Sequence, residues 1–125
     1  MKALSKENSP IVIHTPSGEV ITEIIGRAKE TGTSTLHSLA HVLIPPGKSV
    51  TPHFHKMSEE TYHFTKGKAL MRVDGEEKEI SAGTSVLIMP GQVHSLINHT
   101  HLDVEFYAIS APAWQPDDSY PSNHS

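Results

Sequence analysis

A chain of 125 residues with no internal repeat is long enough to bury a core and argues for one domain rather than two. A formal net charge of -4 with 19% charged residues offers no basic patch for a phosphate backbone, so nucleic acid is not an expected partner. With no cysteine, disulfides, thiolate nucleophiles and sulfur-ligated metals are excluded together, and any metal must be held by histidine and carboxylate.

Residues 1–10 are polar, end in Pro10 and read as a flexible arm. Met1 to Glu7 lack an apolar core of signal-peptide length, and no apolar run nears the ~20 residues of a membrane span, which points to a cytoplasmic protein without a membrane partner. Ile11 to His14 reads as a short strand closed by the Pro16-Ser17-Gly18 turn. The next run is ambiguous: Val20, Ile21, Ile24, Ile25 and Ala28 fit a helical face, while β-branched content favours a strand. Lys29 to Ser34 is a loop, and Leu36 to Ile44 an extended run stopped by Pro45-Pro46-Gly47. Predicted strands then follow at Ser49 to His55, Thr61 to Lys66, Ala69 to Val73, Glu76 to Ile80, Thr84 to Met89, Val93 to Asn98 and Leu102 to Ser110. Asp74-Gly75 is the clearest hairpin, because that dipeptide readily takes positive φ angles. Short strands at turn spacing of about eight to twelve residues indicate an all-β sandwich or barrel. Residues 113–125 form a polar tail whose prolines keep it out of a central strand, with Trp114 placed to pin it against the barrel.

Three of the ten histidines stand in a pattern that carries chemistry. His53 and His55 flank Phe54, and on a strand residues two apart face the same way, so both imidazoles can reach one point. Pro52 supports a strand here, since it pushes Thr51 toward an extended conformation. Glu60 follows five residues after His55, with Glu59 beside it. If Lys56-Met57-Ser58 folds the second run back beside the first, a carboxylate lands near the imidazoles. His94, after the Pro90-Gly91 turn, is the candidate fourth ligand. Such nitrogen and oxygen donors suit one divalent transition ion per chain: Mn, Fe, Ni, Zn or Cu.

These stretches resemble the cupin family. Gly47, His53, His55, Glu60 and Gly67 match its first motif, G-x5-H-x-H-x4-E-x6-G, without insertion. Gly83, Gly91, His94 and Asn98 match its second, G-x5-P-x-G-x2-H-x3-N, which this chain departs from only by placing Met89 at the proline and Pro90 one residue later. The resemblance implies a double-stranded β-helix, or jelly-roll barrel, over residues 11–112, with 20–25 as a strand. Counting back six from Gly67 selects Glu60 as the carboxylate ligand, with Glu59 facing solvent. It also implies a homodimer formed by sheet packing and exchange of N-terminal strands, with Ile11 to His14 as the crossing segment.

Tyr62 shares Glu60's face by strand alternation, which makes it either the candidate for proton transfer or an aromatic packed in the core. His63 faces the other way, His41 fits either role, and His14, His37, His99, His101 and His124 read as ordinary surface residues. Four protein ligands on an ion that accepts six leave two adjacent positions for a bidentate ligand. Small cupins include isomerase-like proteins, dioxygenases, decarboxylases and lyases, and fold does not choose among them. The absence of Lys or Arg near the ligands weakens a sugar phosphate, although Lys48, Lys56, Lys66 and Arg72 could line a rim. The reading is a metalloenzyme acting on a small oxygen-rich compound such as a sugar, keto acid or hydroxy acid; the alternative is a non-catalytic, metal-dependent binding or sensor protein.

Overall fold

Residues 1–123 are described by a computed structural model, so His124 lies outside the described residues. Its strands are β1 (Val12–His14), β2 (Val20–Ile25), β3 (Ser38–Ile44), β4 (Ser49–Phe54), β5 (Glu59–Lys66), β6 (Lys68–Val73), β7 (Glu76–Ser81), β8 (Ser85–Ile88), β9 (His94–Ile97), β10 (Val104–Ala111) and β11 (Tyr120–Pro121). They form two antiparallel sheets in the orders β1-β2-β3-β10-β5-β8 and β11-β4-β9-β6-β7. This is the expected all-β double-stranded helix. Among the described residues no helix is long and apolar enough to cross a membrane.

Period-two alternation explains which residues meet inside. On β5, Glu60, Tyr62 and Phe64 are buried in sequence, and on β10 Val104, Phe106 and Ser110 are. The register sets Phe64 opposite Phe106, Tyr62 opposite Ala108 and Glu60 opposite Ser110. At one end the two phenyl rings lie 4.9 Å apart by centroid and pack with Ile44, Leu96 and Val104. Burial of each large apolar side chain contributes roughly 1.5–3 kcal/mol. Toward the other end polar residues such as His53, His55 and Glu60 and small ones such as Ser38, Ala40 and Ala108 join the inward face, and a cavity opens between the sheets.

The ambiguous run at 20–25 is a strand because both of its faces have a use. Ile21 and Glu23 face the cavity, while Thr22 and Ile24 are buried on the other side. The N-terminal residues lie along this strand: Ser9 Oγ donates to the Glu23 carbonyl, and Ala3, Leu4 and Ser5 gather around Ile24. The loop at 29–34 contains a short 3-10 turn, Lys29–Thr31. β1 pairs with β2 of its own chain, Ile13 opposite Ile21. Asp74 and Gly75 both take positive φ, 48° and 83°, as a two-residue β6–β7 hairpin requires.

One expectation needs correction. The 56–58 connection does not fold β5 back beside β4; the two strands belong to opposite sheets, β4 between β11 and β9 and β5 between β10 and β8. The crossing is held by Asp118, whose carboxylate accepts the backbone N–H groups of Lys56, Met57 and Ser58 at 2.9–3.2 Å. His55 and Glu60 therefore approach each other across the barrel from facing sheets.

Candidate metal centre

Two adjacent strands of one sheet present the imidazoles. His53 on β4 stands opposite His94 at the start of β9, and His55 follows β4 immediately. Glu60 reaches in from the facing sheet. One ligand atom from each of the four lies within 4.8 Å of every other. Donors about 2.0–2.2 Å from a common ion sit at most some 4.4 Å apart, so a slight closing of the side chains suffices. Glu59 is exposed.

The hydrogen bonds decide which ring nitrogens are available. Nδ1 of His53 lies 2.9 Å from the Thr51 carbonyl, Nδ1 of His55 2.8 Å from the Asp118 carbonyl, and Nδ1 of His94 3.0 Å from the Gln92 carbonyl. A carbonyl can only accept, so each Nδ1 carries the proton and donates it. In the neutral ring Nε2 is then left with a free lone pair. Nε2 of His94 and of His55 lie 3.2 and 3.5 Å from Glu60 Oε1, yet all three atoms are buried without a hydrogen-bond partner. Lone pairs of two imidazoles and a carboxylate facing one another in a buried site repel unless a cation or proton sits among them. The donor set fits a divalent transition ion, with backbone carbonyls orienting each ring.

Protonation leans the same way. Burial, reinforced by the charge of His94, pushes His53 down to about 4 despite the Thr51 carbonyl, so it is neutral at physiological pH. Burial would raise Glu60, but His55 and His94 beside it hold it well below the usual carboxylate range. Burial also works against charge on His55, but Glu60 and the Asp118 carbonyl outweigh it and leave its pKa above 6.5. A metal entering the site would displace that proton.

Two supporting residues carry no local sequence signal. Asp118, in the tail, holds the crossing loop with its side chain and the His55 ring with its own carbonyl. Ser110 donates its hydroxyl to Glu60 Oε2 at 3.1 Å. The tail is strapped down as well: the Trp114 amide donates to Ser38 Oγ, the Ala113 amide to the Thr35 carbonyl, and β11 pairs with the edge of β4.

The cavity above the cluster has a volume of about 420 Å³, and its lining includes His53, His55, Glu60, Tyr62 and Trp114. Burial drives the Tyr62 phenol well above 10, helped by the negative charges of Glu60 and Glu19, so it keeps its proton. None of Lys48, Lys56, Lys66 and Arg72 lines this space. The remaining described histidines lie elsewhere. His41 is buried on the outer side of its sheet with Nε2 2.8 Å from Glu105, and His63 Nδ1 bonds to Ser85 Oγ at 2.8 Å. His14, His37, His99 and His101 are exposed.

The family model described as Cupin domain matches residues 40–110 of the chain. An uncharacterised protein of Methanocaldococcus jannaschii is 28% identical over 120 residues, covering 95% of this chain and 94% of the other. An oxalate-binding protein of Thermotoga maritima is 30% identical over 82 residues, covering 66% of this chain and 68% of the other. Among solved structures, a conserved protein with a double-stranded β-helix domain from Klebsiella pneumoniae superposes with a TM-score of 0.73 at 18% identity, covering 90% of this chain and 91% of that one. That likeness bears on the fold alone.

Proposed function

The chain belongs to the cupin family, and from that premise we propose that it is a small metalloenzyme whose substrate chelates a divalent ion through two oxygens. His53, His55, Glu60 and His94 would hold the ion, one of Mn, Fe, Ni, Zn or Cu. Such an ion, when bound, polarises a coordinated carbonyl, lowers the pKa of coordinated water or supports oxygen chemistry. The observation that carries the reading is the set of buried, unpartnered acceptor atoms on His55, Glu60 and His94 at the edge of a cavity between the sheets.

The chain's own residues supply the rest. The cavity walls shield a bound sugar, keto acid or hydroxy acid from bulk water. Tyr62, held protonated, acts as a donor toward a substrate oxygen rather than as a base. Isomerase-like and dioxygenase-like chemistry both fit this arrangement. The second reading is a non-catalytic metal-dependent binding protein, favoured by the oxalate-binding relative. We place the protein in the cytoplasm and, because β1 exposes one edge of its sheet, as a homodimer in which residues 11–14 pair with a second copy. Sedimentation as a monomer at micromolar concentration would remove that assembly.

Elemental analysis of protein purified without chelator should give one divalent ion per chain. Reconstitution with Mn, Fe, Ni or Zn, followed by a panel of sugars, keto acids and hydroxy acids, should give turnover with only some of these metals. Tight metal-dependent binding without turnover for any of them would favour the binding protein. Failure of the chain to take up any ion would overturn both.

A further inference from the structure

The cavity is far larger than its metal cluster needs, and its chemistry is lopsided. Its volume of about 420 Å³ falls in the range that encloses drug-sized ligands, ~300–1,000 Å³, and is several times that of a two-carbon diacid. Ile11, Ile13, Ile21, Val42, Phe106 and Trp114 supply apolar walls. Two carboxylates other than Glu60 also line it, Glu19 and Glu23, and among the described residues no Lys or Arg does. Apart from a divalent ion beside Glu60, no positive side chain faces this space. A ligand held wholly on the ion leaves the far acids without a partner, and an anionic group carried beyond the chelating head would meet carboxylates and no Lys or Arg.

The two extra acids are not equivalent. Glu23 Oε2 already accepts the Thr31 hydroxyl at 2.7 Å. Glu19 is anchored through its backbone, with the Thr15 amide donating to its carbonyl at 3.1 Å and the Thr15 hydroxyl to the same carbonyl at 3.3 Å, and Thr15 also acts on its carboxyl. Burial pushes that carboxyl up to about 7, against the Thr15 hydrogen bond and with a small contribution from Glu60. Glu60 and Glu19 both act on Tyr62, which places all three around one chamber. A desolvated carboxyl in a chamber without cations is a site for a ligand's hydrogen-bond donor.

Building on the metal-chelating reading above, we propose that Glu19 is a specificity-determining residue. It selects ligands that pair a bidentate oxygen head for the metal with an apolar body and a hydroxyl or amine donor, and it disfavours ligands such as oxalate that offer it no donor, and ligands that carry a second anionic group away from the metal. The chain would thus differ from its oxalate-binding relative in what it accepts.

A matched series on one chelating head tests this. Zn(II)-loaded protein is titrated with 4-ethylcatechol, 4-(2-hydroxyethyl)catechol, dopamine, 3,4-dihydroxyphenylacetate and oxalate. Binding is read by calorimetry and by quenching of Trp114, the single tryptophan, which lines the cavity. Dopamine and the hydroxyethyl compound should bind about tenfold tighter than 4-ethylcatechol, the scale of one hydrogen bond to a charged group, and the carboxylate and oxalate more weakly than it. Glu19→Gln, checked for unchanged Zn stoichiometry as evidence of folding, should erase dopamine's advantage and improve 3,4-dihydroxyphenylacetate. Equal affinities across the catechols, or oxalate binding tightest, would overturn the role of Glu19 while leaving the chelating site intact; the wild-type ranking alone decides this if the variant does not fold. If no chelator binds Zn-loaded protein, the metal-chelating reading itself fails and takes this inference with it.

Discussion

Phe64 and Glu60 lie four residues apart on β5 and face Phe106 and Ser110 on the same neighbouring strand, β10, yet the two pairs belong to different kinds of environment. Around Phe64 the inward residues are apolar and mostly bulky, and the sheets close on one another. Around Glu60 polar ligands and small residues stand among apolar walls, and the sheets stand apart over a cavity. One hydrogen-bonded ladder supports both. Stability and ligand capture are therefore distributed along the strand direction rather than assigned to separate elements, and substitutions at the two ends should act on different observables.

The largest separation should come from Phe64→Ala. Phe64 is fully buried and packs with its ring tilted against Phe106, so the substitution should lower unfolding free energy by roughly 3–5 kcal/mol. Urea denaturation measures that loss, and elemental analysis of the folded fraction should find metal stoichiometry unchanged. Loss of metal from molecules that remain folded would show that the two ends are not independent.

Asp118→Ala acts at the other end and comes next. The carboxylate satisfies three amides of the crossing loop, and the adjoining carbonyl fixes the His55 tautomer. Loss of a group that orients a ligand typically weakens metal affinity about 10- to 100-fold. Competition with a chromogenic chelator reads that change. Asp118→Asn, which keeps one acceptor oxygen, should recover part of it, whereas a purely local loss of packing would leave affinity unaltered in both variants.

How much of this was readable beforehand follows from the distances in sequence. His53 near the end of β4 and His55 just past it stand two residues apart and Glu60 lies a few residues on, so period-two alternation and spacing were enough to bring out the cluster. The assignment of β4 and β5 to opposite sheets was not, because it depends on an aspartate about sixty residues away in a segment that reads as tail. The strand at 20–25 could be argued either way from periodicity, because its two faces are both apolar in part and only the cavity distinguishes them. Glu19 gave no sign at all. Nothing local shows that its carboxyl is turned into a chamber.

That carboxyl gives a smaller, pH-dependent test of the cavity end. Its pKa rises from 4.5 to about 7 on folding, chiefly through burial. Between those values the native state binds more protons than the unfolded chain, so stability falls as pH rises. Glutamine has no proton to lose. Glu19→Gln should match the wild type near pH 4 and exceed it at pH 8 by about 2 kcal/mol, allowing for the partial exposure of the side chain. Parallel urea curves at the two pH values would show no such divergence if the cavity at Glu19 were filled with bulk-like water.

Ser110→Ala should give the smallest effect and the most exact probe of how the cavity end is held. The hydroxyl donates to Glu60 Oε2, while Oε1 is the oxygen nearest the two histidines, so the serine positions the carboxylate through the oxygen that faces away from them. Removing one such bond to a charged group costs about 1.5–3 kcal/mol where the partner stays buried and unpaired, but Glu60 borders an open cavity, and a water molecule can replace the hydroxyl. The expected loss is therefore nearer 1 kcal/mol, about a fivefold fall in metal affinity, with unfolding free energy of the metal-free chain changed by less than that. A change confined to metal-free stability would mean that Glu60 is oriented by the strand alone, and the division between the two ends of β5 would then lie in the side chains of 60 and 64 themselves, without help from β10.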